Sequence, residues 1–146
     1  MVEQPHFARE QPWTGPFQDL LGYTIHLPPS GPAEVRLVLD QRHLSQYGIA
    51  HGGVALSLLD TVGGIAVLAA VDRLDRLTTV SLSVDFTRPV RPGPVRAVGW
   101  PVRIGRVLAQ VRMELHEDDE KRLLLAQGQG VYRLFRGDGP AAFRES

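Results

Sequence analysis

The hydrophobic and polar positions of the chain fall into two periods. Most segments alternate every second residue, as half-buried strands do. AEVRLVLD (Ala33–Asp40) places Val35, Leu37 and Leu39 on one side. TTVSLSVDF (Thr78–Phe86) places Val80, Leu82, Val84 and Phe86 together. Arg106–Glu117 alternates with Val107, Ala109, Val111, Met113 and Leu115 inward. LGYTIHLP (Leu21–Pro28), VRAVGWPVRI (Val95–Ile104) and RLLLAQGQGVYRLF (Arg122–Phe135) complete six expected strands. Pro101 marks a bulge or an edge in its strand, and Gly128 and Gly130 mark close approach in theirs. One segment breaks the alternation. From Val54 to Val71 the chain is apolar, rich in Ala and Leu, and too long for a strand, so it is read as a helix.

The polar exceptions on that helix fall together. Ser57, Asp60, Thr61 and Gly64 are spaced i, i+3, i+4, i+7 and form one narrow stripe. Gly63 and Gly64 are expected to let another backbone come close. The remaining surface is apolar nearly all round, which marks a buried helix. The order is strand, strand, helix, then a four-stranded meander from Thr78. A helix apolar on most sides needs a sheet curled around it. The expectation is an α+β hotdog fold, an antiparallel six-stranded sheet wrapped around one long buried helix. Residues 21–136 form that domain, 1–20 an irregular segment with at most a short helical turn near Phe17–Leu21, and 137–146 a loose tail.

Composition narrows the picture. The chain has 146 residues, one domain's worth, and buries about two-thirds of the surface of its unfolded chain. It has no cysteine, which removes disulfides and thiolate metal sites. The five histidines, His6, His26, His43, His51 and His116, show no metal-ligand spacing. Formal net charge is zero, against broad nucleic-acid or anionic-membrane binding. Lys121 is the only lysine among 16 basic residues. That bias suits phosphate contacts and equally follows from a GC-rich genome. The first residues carry no basic stretch leading into an apolar one, so no signal peptide is expected and the cytoplasm is the default location. Val54–Val71 has the minimum length of a membrane span. Asp60 within it would cost about 2.5–3.5 kcal/mol at the bilayer centre, so no span is expected.

Two segments carry chemistry: HGGVALSLLDTVGG (His51–Gly64) and TVSLSVDFTRPVRPG (Thr79–Gly93). Together they resemble the hotdog-fold thioesterases of the phenylacetate-degradation type. The family pattern G-x-x-H-G-G, an acid nine residues after the histidine, and T-x-x-L-x-x-x-F-x-R-P is matched. The matching residues are Gly48, His51, Gly52, Gly53, Asp60, Thr79, Leu82, Phe86, Arg88 and Pro89.

The resemblance implies hydrolysis of an acyl-CoA substrate by a homodimer or dimer of dimers, with no cofactor beyond the substrate's own coenzyme A. It implies that the Gly52 N–H polarises the thioester carbonyl and that Asp60 of the partner subunit activates water or attacks directly. Thr79 falls where the family holds the attacking water, and His51 helps place the thioester. The position of Gly52 and Gly53 at a helix N-terminus independently favours developing negative charge. Arg88 and Arg91 are candidates for the CoA phosphates. Two departures stand out. The family asparagine six residues before the histidine is replaced by Ser45, with Gln46 beside it, and the chain lacks asparagine altogether. Strict alternation also puts Thr79 on the face opposite Val80 and Leu82. A hotdog hydratase and a non-catalytic acyl-CoA binding module remain the alternatives.

Overall fold

The computed structural model describes residues 15–136. Helix α1 (Pro16–Leu21) opens the described chain, followed by β1 (Thr24–His26) and β2 (Ala33–Leu39). A single 3-10 turn (Gln41–His43) leads to helix α2 (Gly52–Ala70). Strands β3 (Arg76–Phe86), β4 (Gly93–Ile104), β5 (Leu108–Glu117) and β6 (Leu124–Phe135) complete it. All neighbours in the sheet are antiparallel, in the order β1-β2-β4-β5-β6-β3.

The sheet buries one face on α2, chiefly through β4, β5 and β2. Val35, Leu37, Ala97, Ala109, Val111, Met113 and Leu115 point in from the strands, each at most 4% exposed. Leu58, Leu59, Val62 and Val67 meet them from the helix, each fully buried. Each such aliphatic side chain contributes about 1.5–3 kcal/mol by leaving water, before chain entropy is subtracted. The helix has the length and hydropathy of a membrane span, but its apolar surface is spent on the sheet. Its middle is the most enclosed part, with every residue from Val62 to Val67 buried and Ala69 and Ala70 exposed at the end. Around its start Gly52, Gly53 and Leu56 stay exposed.

Several expectations are corrected. The strand expected over Leu21–Pro28 shrinks to Thr24–His26, because Leu21 belongs to α1. Pro16 in the first turn and a left-handed Gly22 at the cap frame that helix. Val107 lies in the β4–β5 turn, 52% exposed, outside β5. The four strands after the helix are not a sequential meander. β4, β5 and β6 are, but β3 pairs with β6 at the far edge. The six residues between Phe86 and Gly93 must therefore cross about three strand spacings, roughly 14 Å. Six extended residues reach about 20 Å, so the crossing is feasible. Pro89 and Pro92 lack the N–H groups a hairpin would need.

The period of β3 is also interrupted. Its register with β6 shifts between Thr79 and Ser81, leaving Val80 in a bulge, 56% exposed. The bulge resets the alternation, so Thr79 shares the helix-facing side with Leu82 and Val84. Of the two further register shifts, the one beside Pro101 falls where the sequence marked it, and the one between Leu115 and His116 was not marked.

Close approach takes two forms. A Cβ on Gly99 would stand 2.8 Å from the Val62 carbonyl oxygen, so β4 and the helix backbone meet there. On Gly63 a Cβ would collide with the Tyr132 hydroxyl. The helical glycine makes room for a side chain rather than for the expected backbone. Gly99→Ala is therefore expected to cost about 1–3 kcal/mol through overpacking against an immobile backbone. Urea denaturation should show a lower midpoint at unchanged m-value.

Candidate active site

The rim around the start of α2 is built by the two motif segments. The crossing loop after β3 runs beside it. Val90 is buried and its carbonyl accepts the Ala50 N–H at 2.7 Å. Phe86, 50% exposed, lies against Gly52, 3.7 Å from where a Cβ would stand. A second anchor is buried His43. Its Nε2 donates to the Leu21 carbonyl (2.7 Å) and its Nδ1 accepts the Asp40 N–H (2.9 Å). Its own carbonyl accepts the His51 N–H at 2.9 Å. His43 fixes the loop that presents His51. Its legible signal was the D-x-x-H spacing of a capping box from Asp40.

His51 is the N-cap of α2. Its Nδ1 accepts the Gly53 N–H at 2.9 Å. In the neutral ring the proton then sits on Nε2, leaving an exposed donor. The Val54 N–H bonds the His51 carbonyl at 2.9 Å. The Gly52 N–H has no partner among the described residues. The two glycines are thus not equivalent. Gly53 is spent on the cap, and Gly52 keeps a free N–H at the positive end of a 19-residue helix.

The polar stripe on α2 is not a solvated face. Ser57 Oγ donates to the Gly53 carbonyl at 2.7 Å, and Thr61 Oγ1 donates to the Tyr23 hydroxyl at 3.4 Å. Asp60 is half-buried, and the Thr79 Oγ1 donates to its Oδ1 at 2.8 Å. The expected conflict over Thr79's face is thus resolved by the bulge at Val80. Tyr132, which the sequence reading did not single out, donates to the Asp60 carbonyl at 2.9 Å and lies 3.3 Å from Oδ1. The trace it left in the sequence is small residues at Gly63, Gly64 and Gly130, which together leave space for a ring.

Other candidates lie elsewhere. Ser45 Oγ accepts the Tyr47 N–H at 3.3 Å inside its own turn. No hydrogen bond joins Ser45 or Gln46 to His51, Gly52 or Asp60 among the described residues. Arg88 Nη1 donates to the Leu124 carbonyl at 2.8 Å, tethering the crossing loop to β6. Arg91 is exposed and unpaired among the described residues.

An antiparallel sheet curled around one helix, with a carboxylate and a free N–H on that helix, defines a hotdog-class protein. Residues 47–124, just over half of the chain, match the thioesterase superfamily, and the chain belongs to that superfamily. A provisionally named esterase of Thermoplasma volcanium is 33% identical over 88 residues, 60% of this chain and 64% of that one. The medium/long-chain acyl-CoA thioesterase YigI of Escherichia coli is 32% identical over 99 residues, 59% of this chain and 63% of that one. The chain thus spans a little under two-thirds of the length of these two relatives. The solved conserved protein PA5202 of Pseudomonas aeruginosa superposes with a TM-score of 0.76 at 31% identity, covering 88% of this chain and 99% of that one. The PaaI protein of the E. coli phenylacetic acid degradation operon shares the fold, with a TM-score of 0.74 at 22% identity over 88% and 90% of the two chains.

The capping geometry makes a separable prediction. His51→Ala should lose about 1 kcal/mol of stability, and His51→Asn, whose side-chain oxygen can accept the same N–H, should recover most of it. Chemical denaturation of the three proteins checks this.

Proposed function

We propose that the protein is an acyl-CoA thioesterase whose active site is completed by a second copy of the chain. The observation that carries this reading is the separation of the two reacting groups on α2. The free Gly52 N–H points out of the helix N-terminus along its axis. Asp60 lies eight residues on, about 12 Å along the axis, and turns sideways to Thr79 on β3. A thioester carbonyl needs its donor at about 3 Å and its attacking atom within about 3.5 Å. One helix does not offer both in one direction. Two antiparallel copies do, pairing Gly52 of one with Asp60 of the other.

Two features support the second copy. β3 is an eleven-residue edge strand with β6 as its one neighbour among the described residues, and long open edges are normally covered. Beside it Val80 is 56% exposed, Phe86 50% and Leu56 38%. Phe86 touches the helix start, and Leu56 lies one turn beyond Gly52 on the same side.

In this reading the Gly52 N–H, with the exposed His51 Nε2–H nearby, stabilises the negative charge that grows on the thioester oxygen. Asp60 takes the proton from an attacking water, or its carboxylate makes the new bond and water then releases the acid. Either route breaks the C–S bond and releases coenzyme A as the thiol and the acyl group as the acid. Arg91, exposed and with its guanidinium unengaged among the described residues, suits a CoA phosphate better than Arg88.

Asp60→Asn should preserve the fold and lower acyl-CoA hydrolysis by orders of magnitude, read as thiol release. Gly52→Pro is the sharper variant. Proline is favoured at the first helical position, and His51 already holds φ −58° and ψ 133°, which a following proline accepts. The change removes the N–H and keeps the helix. Loss of one such donor should cost about 10²–10³ in kcat. Native turnover in either variant contradicts the reading.

A further inference from the structure

Tyr132 is one of the largest fully buried side chains, 1% exposed, and its hydroxyl ends beside Asp60. A buried phenol needs a hydrogen-bond partner, and the Asp60 carbonyl at 2.9 Å supplies one. Packing alone requires nothing more. Yet the same hydroxyl lies 3.3 Å from Asp60 Oδ1, the oxygen that Thr79 already holds at 2.8 Å.

The surroundings are shaped to bring it there. A Cβ on Gly63 would collide with the hydroxyl, and one on Gly130 would stand 2.8 Å from the ring. Gly64 also borders the ring, 3.8 Å from where its Cβ would be. Thr79 and Tyr132 are register partners on β3 and β6, and the bulge at Val80 turns Thr79 to the same side. Two hydroxyls from neighbouring strands thus converge on one oxygen of the only carboxylate on α2. Oδ2 has no partner among the described residues. Burial first, and the Asp60 charge beside it, push the Tyr132 phenol well above its usual range. It therefore stays a donor at any working pH.

We propose that Tyr132 is a positioning residue which, with Thr79, holds Asp60 Oδ1 and the plane of its carboxylate in place, so that Oδ2 is the oxygen that acts on the thioester or its water. The inference rests on the thioesterase reading above. Tyr132 touches no reacting atom. It acts by limiting the rotation of Asp60, which matters because misplacement of a reacting group by about 1 Å costs about a hundredfold.

Tyr132→Phe keeps the ring in its glycine-lined slot and deletes the hydroxyl. Thr79→Val removes the other donor. For both, steady-state hydrolysis of an acyl-CoA that the native protein turns over gives kcat and KM separately, and thermal melts record folding. The expected result is a kcat lower by about tenfold to a hundredfold with KM within about twofold. In an Asp60→Asn background, Tyr132→Phe should leave the residual rate unchanged, since no acting oxygen remains to be positioned. Native kcat in Tyr132→Phe overturns the role. So does a kcat loss no larger than the loss of folded protein, or an equal further loss in the Asp60→Asn background. If the native protein releases no thiol from any acyl-CoA in a broad panel, the thioesterase reading fails first and the Tyr132 role falls with it.

Discussion

Every feature of the site depends on the burial of one helix face in the curl of one sheet. α2 supplies the apolar surface and β2, β4 and β5 receive it. The contact is tight enough that the β4 backbone meets the helix at Gly99 with no room for a side chain. That fixes the height of the helix above the sheet. The height in turn decides which strand positions can reach its polar stripe. A close-packed interior transmits such constraints because it has little free volume to absorb a shift. The same packing leaves the N-terminal part of α2 projecting past the enclosed core, with a helix start open to solvent. The crossing loop from β3 to β4 passes that open end and presses Phe86 against it.

A carboxylate on a core helix is costly unless its charge is hydrogen-bonded. Asp60 meets that cost with the Thr79 and Tyr132 hydroxyls and keeps one oxygen without a partner among the described residues. A helix N-terminus normally has its N–H groups capped or solvated. Here the His51 cap takes the Gly53 N–H and spares that of Gly52. In both places part of a polar group is satisfied and part is held in reserve. This is the pattern of a site organised before substrate arrives, where donors need not rearrange as charge develops.

Much of this was legible in the chain. The period of 2 in β2 and β5 and the uninterrupted apolar run of α2 follow directly from burial on one face or on most faces. The HGG and F-x-R-P segments were recognisable, and they prove contiguous in space through Ala50–Val90 and Gly52–Phe86. Strand pairing was not legible, because alternation says which face is buried and not which neighbour lies alongside. The expected pairing of β3 in a sequential meander therefore failed. Val80 was grouped on one face with Leu82 and Val84 for a related reason. A bulge adds one residue to a period of 2, and nothing in VSLSV marks where. Tyr132 escaped notice because its partner is 72 residues away and its slot is recorded only as missing side chains at Gly63, Gly64 and Gly130. His51 was read for a role toward substrate, and its second role, capping α2 through Nδ1, was not read. Ser45 and Gln46 were placed by analogy to an asparagine, and Ser45 Oγ accepts the Tyr47 N–H within its own turn.

In the proposed dimer each chain holds two halves of two different sites. Complementation between two inactive variants tests it most directly. Gly52→Pro and Asp60→Asn chains, purified separately, are unfolded together, refolded and assayed for thiol release. If sites are shared, half of the dimers pair unlike chains, and each such dimer regains one intact site of its two. The mixture should recover about a quarter of native activity, while each variant refolded alone stays inactive. If donor and carboxylate work within one chain, every site keeps one defect and the mixture stays as inactive as its components. That result would contradict the account.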